Sequence, residues 1–435
     1  MKNNKIKNLL ITVLISTVIV PSGCKKDFTD PNRATQEQVY SSAKGITGAA
    51  VGLQRVYTLG RGSTLYNLVT INGLITNELI SRNTGNTAEE QLVTGGNAVD
   101  GNHTMLTTFW TTCNKVIYEA DLVINSAKNL SDKNYASGLI AYASIFKALS
   151  IGDLAQFWEK VPAGIGTNVT FIDRIDGFKK AITVIDDAIT AISANAISAT
   201  FISSVPAGID IINTLNALKA RYSLFAGLYP QALTAANAVD LTKKSTFNFD
   251  ALSLNPIFEV ATSTNNVVQP KDSTLGLPVP LQPDLADKRI LFYTSINTTI
   301  LPRYRINGFG AAAATAFPVY LPGEMTLIKA EAYLRQGPPD LVNGLLELEK
   351  VRTKQPASDP FGVGAGLPAA IGVFTQTQLL DSVYKHRSIE LYMSGLKLED
   401  MRHFGRPLAE RKRNFMPYPL RERDNNPNTP PDPAF

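Results

Sequence analysis

The sequence predicts a mostly α-helical fold, and three observations carry that prediction. Ile175, Phe178, Ile182, Ile185, Ile189 and Ile192 recur at steps of three and four, which is the spacing of one apolar helix face. Two further stretches, 211–239 and 324–351, each read as helix, turn with a glycine, and second helix. Finally, 44% of the 435 residues are hydrophobic and 18% are charged. That is enough apolar material for a large core and too little charge for a disordered chain. With 30 glycines and 2 cysteines, collagen-like and disulfide-framework classes are excluded.

The N-terminus sets the expected compartment. Lys2, Lys5 and Lys7 precede an apolar run at 9–20 that ends in Pro21-Ser22-Gly23-Cys24. A helix of that length spans about 18 Å, against a hydrocarbon core of about 30 Å, so the run reads as an export signal and not a span. The small residues before Cys24 resemble a bacterial lipobox, in which the cysteine is diacylated and becomes the new N-terminus. Pro21 departs from that pattern, which usually has Leu. Residues 1–23 are therefore expected to be a lipoprotein signal peptide, and 24–38 a lipid-anchored tether. Loss of three lysines lowers the formal charge of +5 to about +2, leaving no basic stripe for nucleic acid. Beyond Cys24 only Cys113 remains, so no intramolecular disulfide is expected and stability must rest on the core.

From residue 39 onward a single domain is expected. Amphipathic patterns predict helices at 38–59 and 65–79, a polar loop at 81–107, and helices at 109–130 and 139–158. In the last of these, Leu139, Tyr142, Phe146 and Leu149 share a face. The isoleucine stripe follows. Then Ile211, Leu215, Leu218, Tyr222 and Phe225 form a helix face that breaks at Gly227-Leu228-Tyr229. Gly227, Tyr229 and Ala232 fall at the turn and contact offsets of a tetratricopeptide (TPR) hairpin. The second such hairpin turns at 336–339. These degenerate TPR-like helices are expected over about 39–240 and 322–405. Between them lies a loop-rich insertion, 242–318, with strand-like pieces such as 290–293. Loops that long in a helical body are characteristically binding surfaces or lids. An extended C-terminal tail, 414–435, carries Pro417, Pro419, Pro427, Pro430, Pro431 and Pro433.

Several segments resemble one family. EMTLIKAEAYLRQG at 324–337, HRSIELYMSGLKLEDMRHFG at 386–405 and NFMPYPLRERDNNPN at 414–428 look like the SusD/RagB family of nutrient-binding outer-membrane lipoproteins of Bacteroidetes. FWTTCNKVIYEADLVI at 109–124, ASIFKALSIGDLAQFWEKVP at 143–162 and Arg303-Tyr304 extend the likeness over most of the mature chain. Tyr392-Met393-Ser394-Gly395 departs from the family's more acidic Glu-Gly segment. The resemblance implies a SusD-like α-helical fold with a loop-rich ligand-binding face, seated on a TonB-dependent outer-membrane β-barrel of the SusC type.

The motif residues also have a plain physical reading. Arg387, Glu390, Asp400 and Arg402 alternate in sign around Gly395, so opposite charges are expected to pair across a turn between two helices. Glu324 and Glu331, seven apart on one helix face, are expected to accept from such arginines. These seven residues are read as structural, and no catalytic set is expected. Glu89-Glu90 and Asp186-Asp187 are adjacent pairs, and adjacency on a helix points them about 100° apart, not across a sugar. His103, His386 and His403 lack metal-ligand spacing, so neither a metal nor a cofactor is expected. Cys113, between Trp110 and Val116, reads as a buried thiol.

Sugars are held by aromatic faces, with Asn, Asp, Arg and Gln fixing hydroxyls. On the loops that match the family's ligand face, Arg82, Asn83, His103, Phe292, Tyr293 and Tyr304 are the expected ligand-binding residues. Trp110 and Trp158 lie in expected helices as core, which favours an oligosaccharide, or a peptide as in the RagB branch, over a long polysaccharide. The expected function is capture of a glycan or oligosaccharide at the cell surface for delivery to the transporter, by binding alone. Three rivals stay open: a peptide-binding version, a surface glycosidase, and a TPR scaffold for protein partners.

Overall fold

Side-chain caps start most of the long helices in this computed structural model, which describes residues 34–262, 267–299, 301 and 303–435. The expected signal peptide, Cys24 and most of the tether lie outside the described residues. Of residues 1–39, the described part opens the turn α1 (Gln36–Tyr40), where Thr35 and Gln38 each satisfy the other's backbone N–H, at 2.8 and 3.3 Å.

In residues 40–435, Ser42 caps α2 (Ala43–Thr58) and Ser63 caps α3 (Thr64–Ile75), each by accepting from a backbone N–H of the first turn. After β1 (Leu79–Ser81) comes α4 (Thr87–Thr94), inside the stretch read as loop. Its apolar content is Leu92 alone on the buried side, with Glu89 and Glu90 favouring its N-terminus, so periodicity had nothing to detect. His103 caps α5 (Thr104–Ala127) and Asp132 caps α6 (Lys133–Phe157). The antiparallel pair β2 (Lys160–Pro162) and β3 (Phe171–Asp173) leads into α7 (Arg174–Ala194). This is the isoleucine-stripe helix: Phe178, Ile182 and Ile185 are buried, and Ile175, Ile189 and Ile192 are half-buried.

A short α8 (Ala199–Ile202) precedes the hairpin of α9 (Ile211–Phe225) and α10 (Tyr229–Asn237), with Gly227 at φ +73° in the turn. The second hairpin is α13 (Pro322–Arg335) and α14 (Leu341–Arg352). It packs on α10 and on α15 (Gln376–Glu390), which leads through Gly395 into α16 (Lys397–His403). The core runs through this stack. Phe109, Trp110, Phe157 and Trp158 meet at its centre, with the two indoles edge to face at 4.8 Å. Both tryptophans are buried.

The insertion is closed at its neck. β4 (Thr246–Phe247) pairs antiparallel with β8 (Phe317–Pro318), bringing the two ends of the loop-rich segment together. Inside it lie α11 (Pro256–Thr262), β5 (Val268–Pro270), α12 (Arg289–Tyr293), β6 (Thr294–Ile296) and β7 (Tyr304–Ile306). The stretch 290–293, read as strand-like, is helical. Four consecutive apolar residues carry no period that separates the two states. Within 414–435, read as extended, lies the short α17 (Leu420–Asn425). Trp158 donates to the Pro417 carbonyl at 2.9 Å and Tyr418 is buried against Trp110 and Phe171.

The charged motif residues lie in the interior, and two of the expected pairings change. Arg387 does reach across the turn to Asp400, at 2.8 and 3.1 Å, and Gly395, at φ +81°, sits where a Cβ would lie 2.5 Å from Leu68. Arg402, however, pairs with Glu399 one helical turn back at 2.7 Å, and Glu390 turns away to Arg289 and Lys354. Glu324 accepts from Arg221, 103 residues away, at 2.6 and 2.7 Å. Glu331 accepts from Arg335 and His403, each at 2.6 Å. Burial pushes the Glu331 carboxyl up, but the His403 and Arg335 side chains beside it hold it below its usual range. Helical spacing can suggest neighbours within one helix; it says nothing of a partner a hundred residues off.

Candidate ligand-binding face

A single buried arginine positions the loops. Arg289 has no exposed surface and fans out to Asp287 at 2.7 and 3.0 Å, Glu390 at 3.0 Å and the His386 ring at 2.8 Å. Lys354 joins Glu390 at 2.6 Å and Asp359 at 2.7 Å. Two cations and three carboxylates thus form one buried network, in which each charge has an opposite partner. Burial first, then the charge of Arg289, hold His386 far below its ordinary range, so its imidazole is neutral. Gly323 makes room for the network: a Cβ there would lie 1.9 Å from the Glu390 carboxylate.

Because Arg289 opens α12, the network pins α12 and the β6–β7 hairpin to α15. The Tyr293 hydroxyl adds a second tie, donating to the Glu390 carbonyl. The hairpin register runs from Thr294↔Ile306 at its base to Ile296↔Tyr304 toward its tip. Beside it, β1 and β5 pair with Leu79↔Pro270 and Ser81↔Val268. Gln269 links the two ribbons: its side chain donates to the Ala261 carbonyl and accepts from the Ile306 N–H, both at 2.8 Å.

At the hairpin tip, Arg82 meets the loop between β6 and β7. The Arg82 backbone N–H donates to Val267 at 2.7 Å, and its guanidinium reaches across to the Leu301 carbonyl. Tyr304 is half-buried, while Ile296 and Leu301 are exposed beside it. Arg305 follows Tyr304 on β7. Partial burial and then the charge of Arg82 both pull its basicity down. Asn83 adjoins this corner, but its carboxamide oxygen accepts from Gly85 and shapes the turn. Phe292 lies at the hairpin base, half-buried, edge to face with Tyr293 at 4.9 Å and Phe309 at 5.2 Å. Tyr293 is buried. His103 is buried too, with one ring nitrogen accepting from Leu106 as the α5 cap and the other bonded to the Ala88 carbonyl. The structure thus brings Arg82 to the loop of the β6–β7 hairpin that carries Tyr304, and gives His103 and Tyr293 framework contacts.

Two hollows lie nearby. A small pocket of about 50 Å³ is bordered by Tyr57, Asp153, Arg221, Glu324 and Tyr293. That is room for a water or two and not for a sugar ring. Burial pushes the Asp153 carboxyl there up to about 7, against a hydrogen bond from Tyr57 at 2.8 Å. The second hollow, an open cleft of about 440 Å³, lies at the far end of the β1–β5 ribbon. Asn77, Lys271, Asp272, Gln282, Lys397 and Glu410 line it. Its size falls in the range of small-molecule sites, about 300–1,000 Å³. Sequence reasoning pointed to neither hollow, and Arg289 was missed because nothing local distinguishes a buried arginine in a loop. Among the described residues, no three His, Cys, Asp or Glu side chains gather as metal ligands.

No protein-family model matches the sequence, and no curated protein matches it either. Solved structures do. A SusD superfamily protein from Parabacteroides distasonis superposes with a TM-score of 0.69 over 93% of this chain and 100% of its own, at 15% identity. The chain has the SusD-like fold. A SusD-like carbohydrate-binding protein from Bacteroides fragilis matches at 0.64 over 85% of this chain and 87% of its own, with 16% identity. A laminarin-binding SusD-like protein matches at 0.62 over 90% and 99%, with 14% identity. In this SusD-like chain the β6–β7 hairpin and the β1 exit form an open corner beside the helical stack.

Proposed function

We propose that this chain is a glycan-binding lipoprotein of the outer membrane, which captures an oligosaccharide and hands it to a TonB-dependent β-barrel without making or breaking bonds. The observation that carries this reading is the β6–β7 hairpin, which the Arg289 network pins, which presents the half-buried ring of Tyr304, and whose loop accepts from the Arg82 guanidinium. Such a site binds by shape and hydrogen bonding on a rigid support, which lowers the entropy cost of association. SusD-like neighbours whose names state carbohydrate or laminarin binding support the same reading. Anchoring through Cys24 would hold the body at the membrane.

The test uses protein beginning at Lys25, titrated calorimetrically against panels of oligosaccharides and peptides, with product analysis of each mixture. Saturable binding of a saccharide without turnover supports the proposal. Release of reducing ends overturns the non-catalytic part, and binding confined to peptides overturns the ligand class.

A further inference from the structure

The loop between α14 and α15 is tied down on both sides of a bare tip. On one side Arg352 donates to the Pro368 carbonyl at 2.8 Å, and the Ala370 N–H donates to the Glu349 carboxylate at 3.2 Å. On the other, Gln376 donates to the Leu334 carbonyl at 2.7 Å, and Phe374 packs on the small core of Leu327, Leu334, Leu348 and Val383. Between these ties Ile371 and Val373 are 96% and 101% exposed. The helix that holds the loop, α14, also turns Val342 and Leu346, one helical turn apart, to solvent. From Asp359 to Asp381 no residue in between is charged. Other apolar side chains are as bare, but they stand among acids: Leu252 is two from Asp250, and Leu285 lies between Asp284 and Asp287. A pinned loop that keeps two branched aliphatic groups wholly in water marks a contact surface.

Two features favour lipid over protein as the occupant. Protein interfaces are centred on aromatic, Met and Arg anchors seated in matching pockets. The tip offers none: Ile371 and Val373 stand among Ala369, Ala370 and Gly372. Acyl chains take up apolar groups without shape matching or charge pairing. The second feature is reach. From Cys24 to Gln36 an extended chain spans about 40 Å at most, so a bilayer that holds Cys24 stays close to the body. Resting on the lipoprotein reading above, we propose that the 369–373 tip is a lipid-docking loop. Ile371 and Val373 enter the interface of the bilayer that anchors the chain, and they fix which way the tethered body faces.

The experiment uses protein beginning at Lys25, held by an N-terminal histidine tag on phosphatidylcholine vesicles that carry a nickel-chelating lipid. Val373→Cys and, as control, Leu285→Cys are labelled with an environment-sensitive fluorophore; Cys113 is buried and takes none. The expected result is a blue shift at 373 and quenching of about twofold or more by doxyl-labelled lipid, with the label at 285 unmoved. Ile371→Asp in the Val373→Cys background should abolish both effects. Since Ile371 is fully exposed, its melting temperature should match the parent's, which separates lost docking from lost folding. An unquenched label at 373 overturns the inference, as does equal quenching at 373 and 285, which is adsorption without a docking tip. A blue shift that grows with protein concentration in the absence of vesicles also overturns it, because a second copy then covers the tip. The tag stands in for the acyl chains, so these outcomes leave the lipoprotein reading itself to be decided by palmitate incorporation at Cys24 in cells.

Discussion

Replacing Arg289 by Met removes one charge from a network in which Arg289, Asp287 and Glu390 have no exposed side-chain surface. Asp287, itself buried, then loses two side-chain hydrogen bonds from the guanidinium and keeps only a backbone N–H at 3.0 Å. Glu390 retains Lys354. Breaking a buried ion pair from one side costs about 3–5 kcal/mol, because a charge is left uncompensated. A unit of about 400 residues unfolds with an entropy of about 0.8 kcal/mol/K, so the melting temperature should fall by about 4–6 °C. Differential scanning calorimetry reads this directly. Adding Asp287→Asn to Arg289→Met should recover part of the loss, since the orphaned charge is then gone. Because Arg289 opens α12, saccharide affinity should fall in the single variant as well. A melting temperature within about 1 °C of wild type would refute the reasoning, because it would mean the network is not what holds these loops.

Four further outcomes are expected. Gly323→Ala places a methyl group on the Glu390 carboxylate and should destabilise by about 1–3 kcal/mol in denaturant unfolding. Asp153 is held up at about 7 in the folded chain against 3.8 when unfolded. It therefore adds stability at low pH that is lost as pH rises through that range, and the melting temperature of Asp153→Asn relative to wild type should climb from about pH 4 to about pH 8. His103→Ala should cost about 1 kcal/mol through the lost α5 cap and leave saccharide affinity unchanged, whereas Tyr304→Ala should weaken binding and leave melting unchanged. Cys113 is buried and burial drives its thiol well above its usual range, so a thiol reagent should label it only after unfolding.

The helices were legible where burial repeats along one face. The stripe from Ile175 to Ile192, the turn at Gly227 and the start of the second hairpin all follow from local spacing, and the helix α9 begins at Ile211 as the pattern implies. Legibility ended where a residue's role depends on something far off in the chain. Glu390 looked like a partner for Arg402 across Gly395, yet its partner Arg289 lies 101 residues upstream. His103 looked like a loop donor, but its ring had already been assigned to a helix cap and a carbonyl. Arg82 and Tyr304 were picked on residue type and on the resemblance. The bonds that tie Arg82 to the Leu301 carbonyl and Gln269 to the Ile306 N–H have no sequence pattern of their own.

The most direct test of the account is a crystal structure of the protein soaked with the saccharide that binds best in calorimetry. The account predicts an unbroken sugar on the corner of Arg82 and Tyr304, with its ring against the tyrosine face. Sugar found instead in the cleft beside Lys271 and Lys397, or found cleaved, would contradict it.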